Sequence, residues 1–139
     1  REGTPAILQA SGNPDCHLIL RGGKDSGPNY DQAAVAGAAA AMTAAGLKPG
    51  IIIDCSHGNS EKDPQRQPLV LASVASQVKA GQNAIRGVMI ESHLKAGSQP
   101  IGPREQLVYG QSITDGCLAL EDTLPLLSQL ADAVRSRNS

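Results

Sequence analysis

The chain has 139 residues, the length of one ordinary domain, and a formal net charge of −1 from 12 basic and 13 acidic side chains. That balance excludes a basic nucleic-acid footprint, and no apolar run approaches the ~18 residues a membrane span needs. Alanine supplies much of the 40% hydrophobic content, with no Phe, no Trp and two Tyr; large rings bury the most area per residue, so a self-contained core would be thin and the chain is expected to be a piece of something larger.

At the N-terminus, Arg1-Glu-Gly-Thr-Pro5 carries no signal-peptide pattern. Residues 4–14 are expected to belong to a hairpin that turns at Ser11-Gly-Asn-Pro14. The first buried strand spans residues 16–21, a continuous apolar run that ends on Arg21. Asp31 then caps a helix through Ala45, with Val35, Ala39 and Met42 on one face and Gly46 placed to end it. A second strand, residues 51–55, runs into Asp54, Ser56 and His57, and a helix over residues 68–80 aligns Val70, Val74 and Val78. The third strand, residues 88–91, ends on Glu91, with His93 just beyond. Residues 95–106 read as a loop, residues 109–114 as a fourth strand ahead of Asp115, and Asp122 or Thr123 as the cap of a last helix. In that helix Leu124, Leu127, Ala131 and Val134 make one stripe, with Pro125 tolerated in the first turn.

Buried strands alternating with amphipathic helices predict an α/β fold with a parallel sheet and crossover helices. The polar strand-end positions 21, 57, 91 and 115 are separated by 36, 34 and 24 residues, close to one βα unit each. Since a closed (β/α)₈ barrel takes ~250 residues, residues 15–139 read as four units, half a TIM barrel.

Ligands of such folds sit beyond the carboxyl ends of the strands. One imidazole and two carboxylates there, His57, Glu91 and Asp115, suit a divalent metal of the Mn²⁺, Fe²⁺, Co²⁺ or Zn²⁺ kind. Taken singly, His57 also fits a hydrogen-bonded loop histidine and Asp115 a turn residue. Glu91 ends an apolar strand, where a lone buried carboxylate is costly, so it is expected to face a cation or metal. Arg21, followed by Gly22-Gly23-Lys24, suits a phosphate or carboxylate, with a solvated turn as the alternative. Three widely spaced cysteines, Cys16, Cys55 and Cys117, favour free thiols in a reducing compartment and hence a cytoplasmic protein; Cys55 and Cys117 read as small buried hydrophobes and His17 as structural.

Four longer stretches share a pattern. Asp15-Cys-His-Leu-Ile-Leu-Arg-Gly-Gly23 with Pro28-Asn-Tyr-Asp31, Ile53-Asp-Cys-Ser-His-Gly-Asn-Ser60, Gly87-Val-Met-Ile-Glu-Ser-His-Leu94 and Tyr109-Gly-Gln-Ser-Ile-Thr-Asp-Gly-Cys117 resemble the successive motifs of type I DAHP synthases, in order and spacing, over essentially the whole chain. The resemblance implies the C-terminal half of a (β/α)₈ barrel that condenses phosphoenolpyruvate with erythrose 4-phosphate at the head of aromatic amino-acid synthesis. It implies His57, Glu91 and Asp115 as three of four metal ligands, the metal acting as a Lewis acid on the aldehyde oxygen, and Arg21 as one of several cations on the phosphate of phosphoenolpyruvate. His57 is given a further catalytic role, orienting water. The family's fourth ligand is a cysteine of the first barrel strand, a position that none of the three cysteines occupies. The resemblance also implies an aromatic amino-acid inhibitor acting through the hairpin and a dimeric or tetrameric homo-oligomer. Without the missing N-terminal half the chain alone is expected to be inactive; the competing reading is a half-barrel that binds or assembles without catalysis.

Overall fold

The computed structural model describes residue 3, residues 7–13 and residues 15–137. Its elements are β1 (Leu18–Leu20), α1 (Gln32–Ala44), β2 (Ile51–Asp54), α2 (Gln67–Lys79), β3 (Ile85–Met89), β4 (Ser92–His93), β5 (Leu118–Ala119) and α3 (Leu120–Arg137), with short 3₁₀ turns at Pro64–Arg66 and Arg104–Gln106. β1, β2 and β3 pair in parallel in that order, and β4 pairs in parallel with β5. The alternation of parallel strands with helices is that of a partial (β/α) barrel.

The cause of each element is local. Asp31 caps α1, its carboxylate accepting from the Ala34 amide at 2.7 Å, and Gly46 ends the helix region in the left-handed conformation at φ +74°. Val35 of α1, Ile51 and Ile53 of β2, and Val70, Leu71, Val74 and Val78 of α2 are buried in one cluster with Leu118 and Leu126. Each such side chain contributes roughly 1.5–3 kcal/mol by leaving water. β1, at a sheet edge, leaves Leu18 and Ile19 39% and 43% exposed.

Several expectations change. The third strand begins at Ile85, earlier than residue 88, because Gly81 at φ +94° completes the turn and the Ala84 carbonyl already accepts from the Ile51 amide at 2.8 Å. Glu91 lies in the gap between β3 and β4 and is partly exposed rather than buried. Residues 109–114 form no strand: Gly110 is left-handed at φ +80°, and the Ser112 hydroxyl accepts from the Thr114 amide at 3.1 Å, turning the chain. The strand of this region is β5, after Asp115, so that residue precedes a strand instead of ending one. In α3 the buried face is Thr123, Leu126 and Ala133, whereas Leu124, Leu127 and Val134 are exposed. Helix α3 starts at Leu120, ahead of Asp122 and Thr123. Of the expected hairpin, residues 7–13 pair with no strand, and residues 4–6 and Pro14 lie outside the described residues.

Among the described residues no helix is long and apolar enough to cross a membrane.

Candidate functional site

The site grows from the carboxyl end of β2. Asp54 is buried, and its Oδ1 accepts from the Ser56 amide at 2.8 Å and the Ser56 hydroxyl at 2.7 Å. Its Oδ2 lies 2.8 Å from His57 Nδ1. An ionised carboxylate only accepts, so Nδ1 donates to it, and in the neutral ring Nε2 then carries the lone pair, facing the other way. His57 itself is left-handed at φ +51°, a conformation that costs a non-glycine residue about 1–3 kcal/mol and clusters at functional sites. With Nδ1 occupied, one ring nitrogen serves either a cation or a water, so the two roles expected of His57 are alternatives.

Asn59 ties this turn to β1. It is buried; its Nδ2 donates to the carbonyls of Leu20 at 3.0 Å and Asp54 at 2.8 Å, and its backbone amide donates to Arg21 O at 3.0 Å. The two strand ends therefore meet backbone to backbone. Gly22 and Gly58 make that approach possible: a Cβ on Gly58 would stand 2.5 Å from the Gly22 carbonyl carbon and 2.6 Å from the Gly23 amide nitrogen. The glycine pair after Arg21 thus serves chain contact as well as the turn. Gly58→Ala is expected to lower stability by about 2 kcal/mol, the scale of overpacking, read as a lowered midpoint in a denaturant melt.

Glu91 is held by its backbone. The buried amide of Gln67, the first residue of α2, accepts from Glu91 N at 2.8 Å and donates to Glu91 O at 3.0 Å, and the Leu118 amide adds a third bond at 3.0 Å. Asp115 is positioned by a loop that folds on itself. Gln99 is the hub, donating to the carbonyls of Val108 and Gln111 and accepting from Val108 N, while Gly97 and Cys117 exchange both backbone bonds.

These three supports bring His57, Glu91 and Asp115 together, their ligand atoms all within 4.8 Å of one another. His57 Nε2 stands 3.6 Å from Glu91 Oε1 and 3.9 Å from Asp115 Oδ2, too far for hydrogen bonds. Donors bonded to one ion at ~2.0–2.2 Å stand roughly 3–3.7 Å apart, so the two distances from His57 Nε2 fit a shared cation within a few tenths of an ångström. Side-chain exposure of 27% at His57, 30% at Glu91 and 60% at Asp115 opens the cluster toward solvent on the Asp115 side. Burial pushes the Glu91 carboxyl above its ordinary 4.5; His57 draws it back, and Asp115 and Asp54 push it up again. A carboxylate crowded by carboxylates favours a cation there.

Arg21 is exposed and lines an adjoining cleft of about 510 Å³ with Lys24, Pro28, His57 and Lys62. His93 stays out of the cluster, its Nδ1 accepting from the Leu94 amide at 2.8 Å. His17 precedes β1 and is exposed. All three cysteines are free; Cys55 and Cys117 are buried as expected, and burial, then Asp54, pushes the Cys55 thiol up to about 12, so it is inert at neutral pH.

A parallel α/β sheet with a His–Glu–Asp cluster beyond β2 and β3 and an arginine cleft beside it defines the class: a segment of a (β/α) barrel with its charged residues gathered at one end of the sheet. The chain belongs to the DAHP synthetase I family, which matches residues 2–128. It is 50% identical over 135 residues to the Phe-sensitive phospho-2-dehydro-3-deoxyheptonate aldolase of Escherichia coli, covering 97% of this chain and 38% of the relative. It is 50% identical over 141 residues to the tyrosine-inhibited aldolase of the same name from Schizosaccharomyces pombe, with 99% and 38% covered. The solved phospho-2-dehydro-3-deoxyheptonate aldolase of Francisella tularensis superposes with a TM-score of 0.87 at 46% identity, over 95% of this chain and 38% of that one. The chain therefore spans well under half the length of these relatives, less than the expected half.

Proposed function

We propose that the protein carrying this chain condenses phosphoenolpyruvate with erythrose 4-phosphate, the first step of aromatic amino-acid synthesis. The observation that carries the reading is the convergence of His57, Glu91 and Asp115 beside the Arg21 cleft, in a chain half identical to aldolases of that name. In the reaction, the methylene carbon of phosphoenolpyruvate bonds to the aldehyde carbon. Water adds at the adjacent carbon, and the carbon–oxygen bond to phosphate breaks as phosphate leaves. Arg21 holds an anionic group with its planar donor fork, which fixes the nucleophile's orientation at low entropy cost. Asp54 holds His57 Nδ1 and so turns Nε2 toward the cluster, and Gln67 fixes the backbone from which Glu91 reaches it. A divalent cation of the Mn²⁺, Fe²⁺ or Co²⁺ class, held by His57, Glu91 and Asp115, would supply positive charge where the aldehyde oxygen gains an electron pair.

Residues 15–137 belong to four βα units of the barrel in this reading. The 139-residue chain alone is inactive, because the remaining phosphate-binding cations and a fourth ligand come from elsewhere in the barrel. An aromatic amino acid inhibits the complete protein, as the Phe-sensitive and tyrosine-inhibited relatives suggest by name; that protein is taken to be a dimer or tetramer. Free and buried thiols support a cytoplasmic setting.

The test is phosphate release by protein expressed from the complete gene. Release is expected to require erythrose 4-phosphate, to stop with a chelator and to return with Mn²⁺. Release without the sugar phosphate would overturn the substrate assignment, and full activity in chelator the metal assignment.

A further inference from the structure

Two lysines at this site, Lys24 and Lys62, stand outside the functional assignment above, and of the two Lys62 alone borders the cleft of the His–Glu–Asp cluster. Lys62 follows His57 by five residues and closes the same turn, its amide donating to His57 O at 2.8 Å. It is left-handed at φ +63°, next to Glu61 at φ +54°. Three non-glycine residues in that conformation within six positions are a concentration that ordinary loops avoid. The side chain is exposed, and among the described residues no carboxylate lies within 4.0 Å of its ammonium. It borders both clefts, the one that holds the His–Glu–Asp cluster and the one that holds Arg21; His57 is the other residue common to both. Arg21 borders the second alone.

Asp54, Glu91 and Asp115 surround one imidazole, so an anion approaching the cluster meets like charge on several sides. The Lys62 ammonium is a cation placed against that repulsion, and its charge is felt at Glu91, where it favours the ionised carboxylate.

We propose that Lys62 is a second cation for the anionic substrate: its left-handed backbone carries the ammonium to the junction of the two clefts, where it binds the end of the anion nearer the cluster while Arg21 grips the other. This rests on the reading of the site as one for a phosphorylated carboxylate. The left-handed backbone separates shape from charge. Glycine adopts it without strain, so Lys62→Gly keeps the turn and removes the cation, whereas Lys62→Arg keeps the cation.

The experiment measures phosphoenolpyruvate binding by calorimetry, Mn²⁺ binding by electron paramagnetic resonance and the melting temperature, on protein expressed from the complete gene. Lys62→Gly and Lys62→Met are expected to weaken phosphoenolpyruvate about tenfold or more, the scale of a hydrogen bond to a charged group. Lys62→Arg should stay within about threefold of the original. Mn²⁺ affinity should hold in all three, and Lys62→Gly should melt no lower than the original. A role confined to the turn predicts that Lys62→Gly binds phosphoenolpyruvate as well as the original, and that result would overturn the proposal. So would phosphoenolpyruvate binding by Lys62→Met at the original strength. Unsubstituted protein that bound Mn²⁺ but no phosphoenolpyruvate would overturn the reading of the site itself, a different outcome from either.

Discussion

His57→Ala is expected to cut Mn²⁺ affinity about a thousandfold, because loss of even an outer-sphere partner costs 10–100-fold and the ligand itself costs more. The substitution leaves Glu91 and Asp115, two oxygen donors with substantial exposure, and removes the one nitrogen aimed between them. Folding should survive it. Asp54 keeps two donors from Ser56, and the side chain removed is already 27% exposed, so a loss of no more than about 1–2 kcal/mol is expected. A Mn²⁺ titration beside a thermal melt separates the two effects. Binding within threefold of the original would remove His57 from the cation site.

The same titration run against pH checks the state of Glu91. Its carboxyl is raised above 4.5 chiefly by burial. A raised carboxyl means that the folded, cation-free protein prefers the protonated form, so this group's contribution to stability is lost as pH rises from 4.5 through the raised value. Cation binding needs the ionised form, so affinity should fall on acidification at a pH where an ordinary glutamate would still be charged.

How much of this is legible in the sequence varies from residue to residue. Buried strands rich in isoleucine and the Asp31 cap are local signals, and they place β1, α1, β2 and α2 within a few residues of their positions. The stripe on α3 is not local. Thr123, Leu126, Leu130 and Ala133 repeat at intervals of three, four and three, and Leu124, Leu127, Ala131 and Val134 repeat at the same intervals one position on. Periodicity fits both, and only packing against α2 selects the first, leaving an apolar face outward. Residues 109–114 look like a strand because Tyr109, Ile113 and Thr114 are strand-forming residues. A left-handed Gly110 and a serine that turns the chain decide otherwise. His57, Glu91 and Asp115 can be picked out as chemistry, and the structure brings all three together. What holds them cannot be picked out. Gln67 and Gln99 look like helix-start and loop glutamines, and their clamps on backbone exist only once distant segments meet.

Asp54 is visible beside His57, and its direction of action is not; the structure supplies it. If the carboxylate acts by fixing the tautomer, the substitution that matters is the one that reverses the tautomer. Asp54→Asn can turn its amide toward His57 Nδ1 and donate, which moves the ring proton to Nε2 and blocks the lone pair that would meet a cation. Asp54→Ala offers no donor, leaving the ring free to protonate at either nitrogen. Asn is therefore expected to lose about a hundredfold in Mn²⁺ affinity and Ala about tenfold, within the range for outer-sphere partners. Ala should nonetheless be the less stable of the two, since it leaves a void and strips a buried partner from the Ser56 amide and hydroxyl. If the negative charge alone mattered, the two would lose affinity equally. Parallel Mn²⁺ titrations and melts of the pair decide it: an affinity order that follows the melting temperatures would sink the tautomer account.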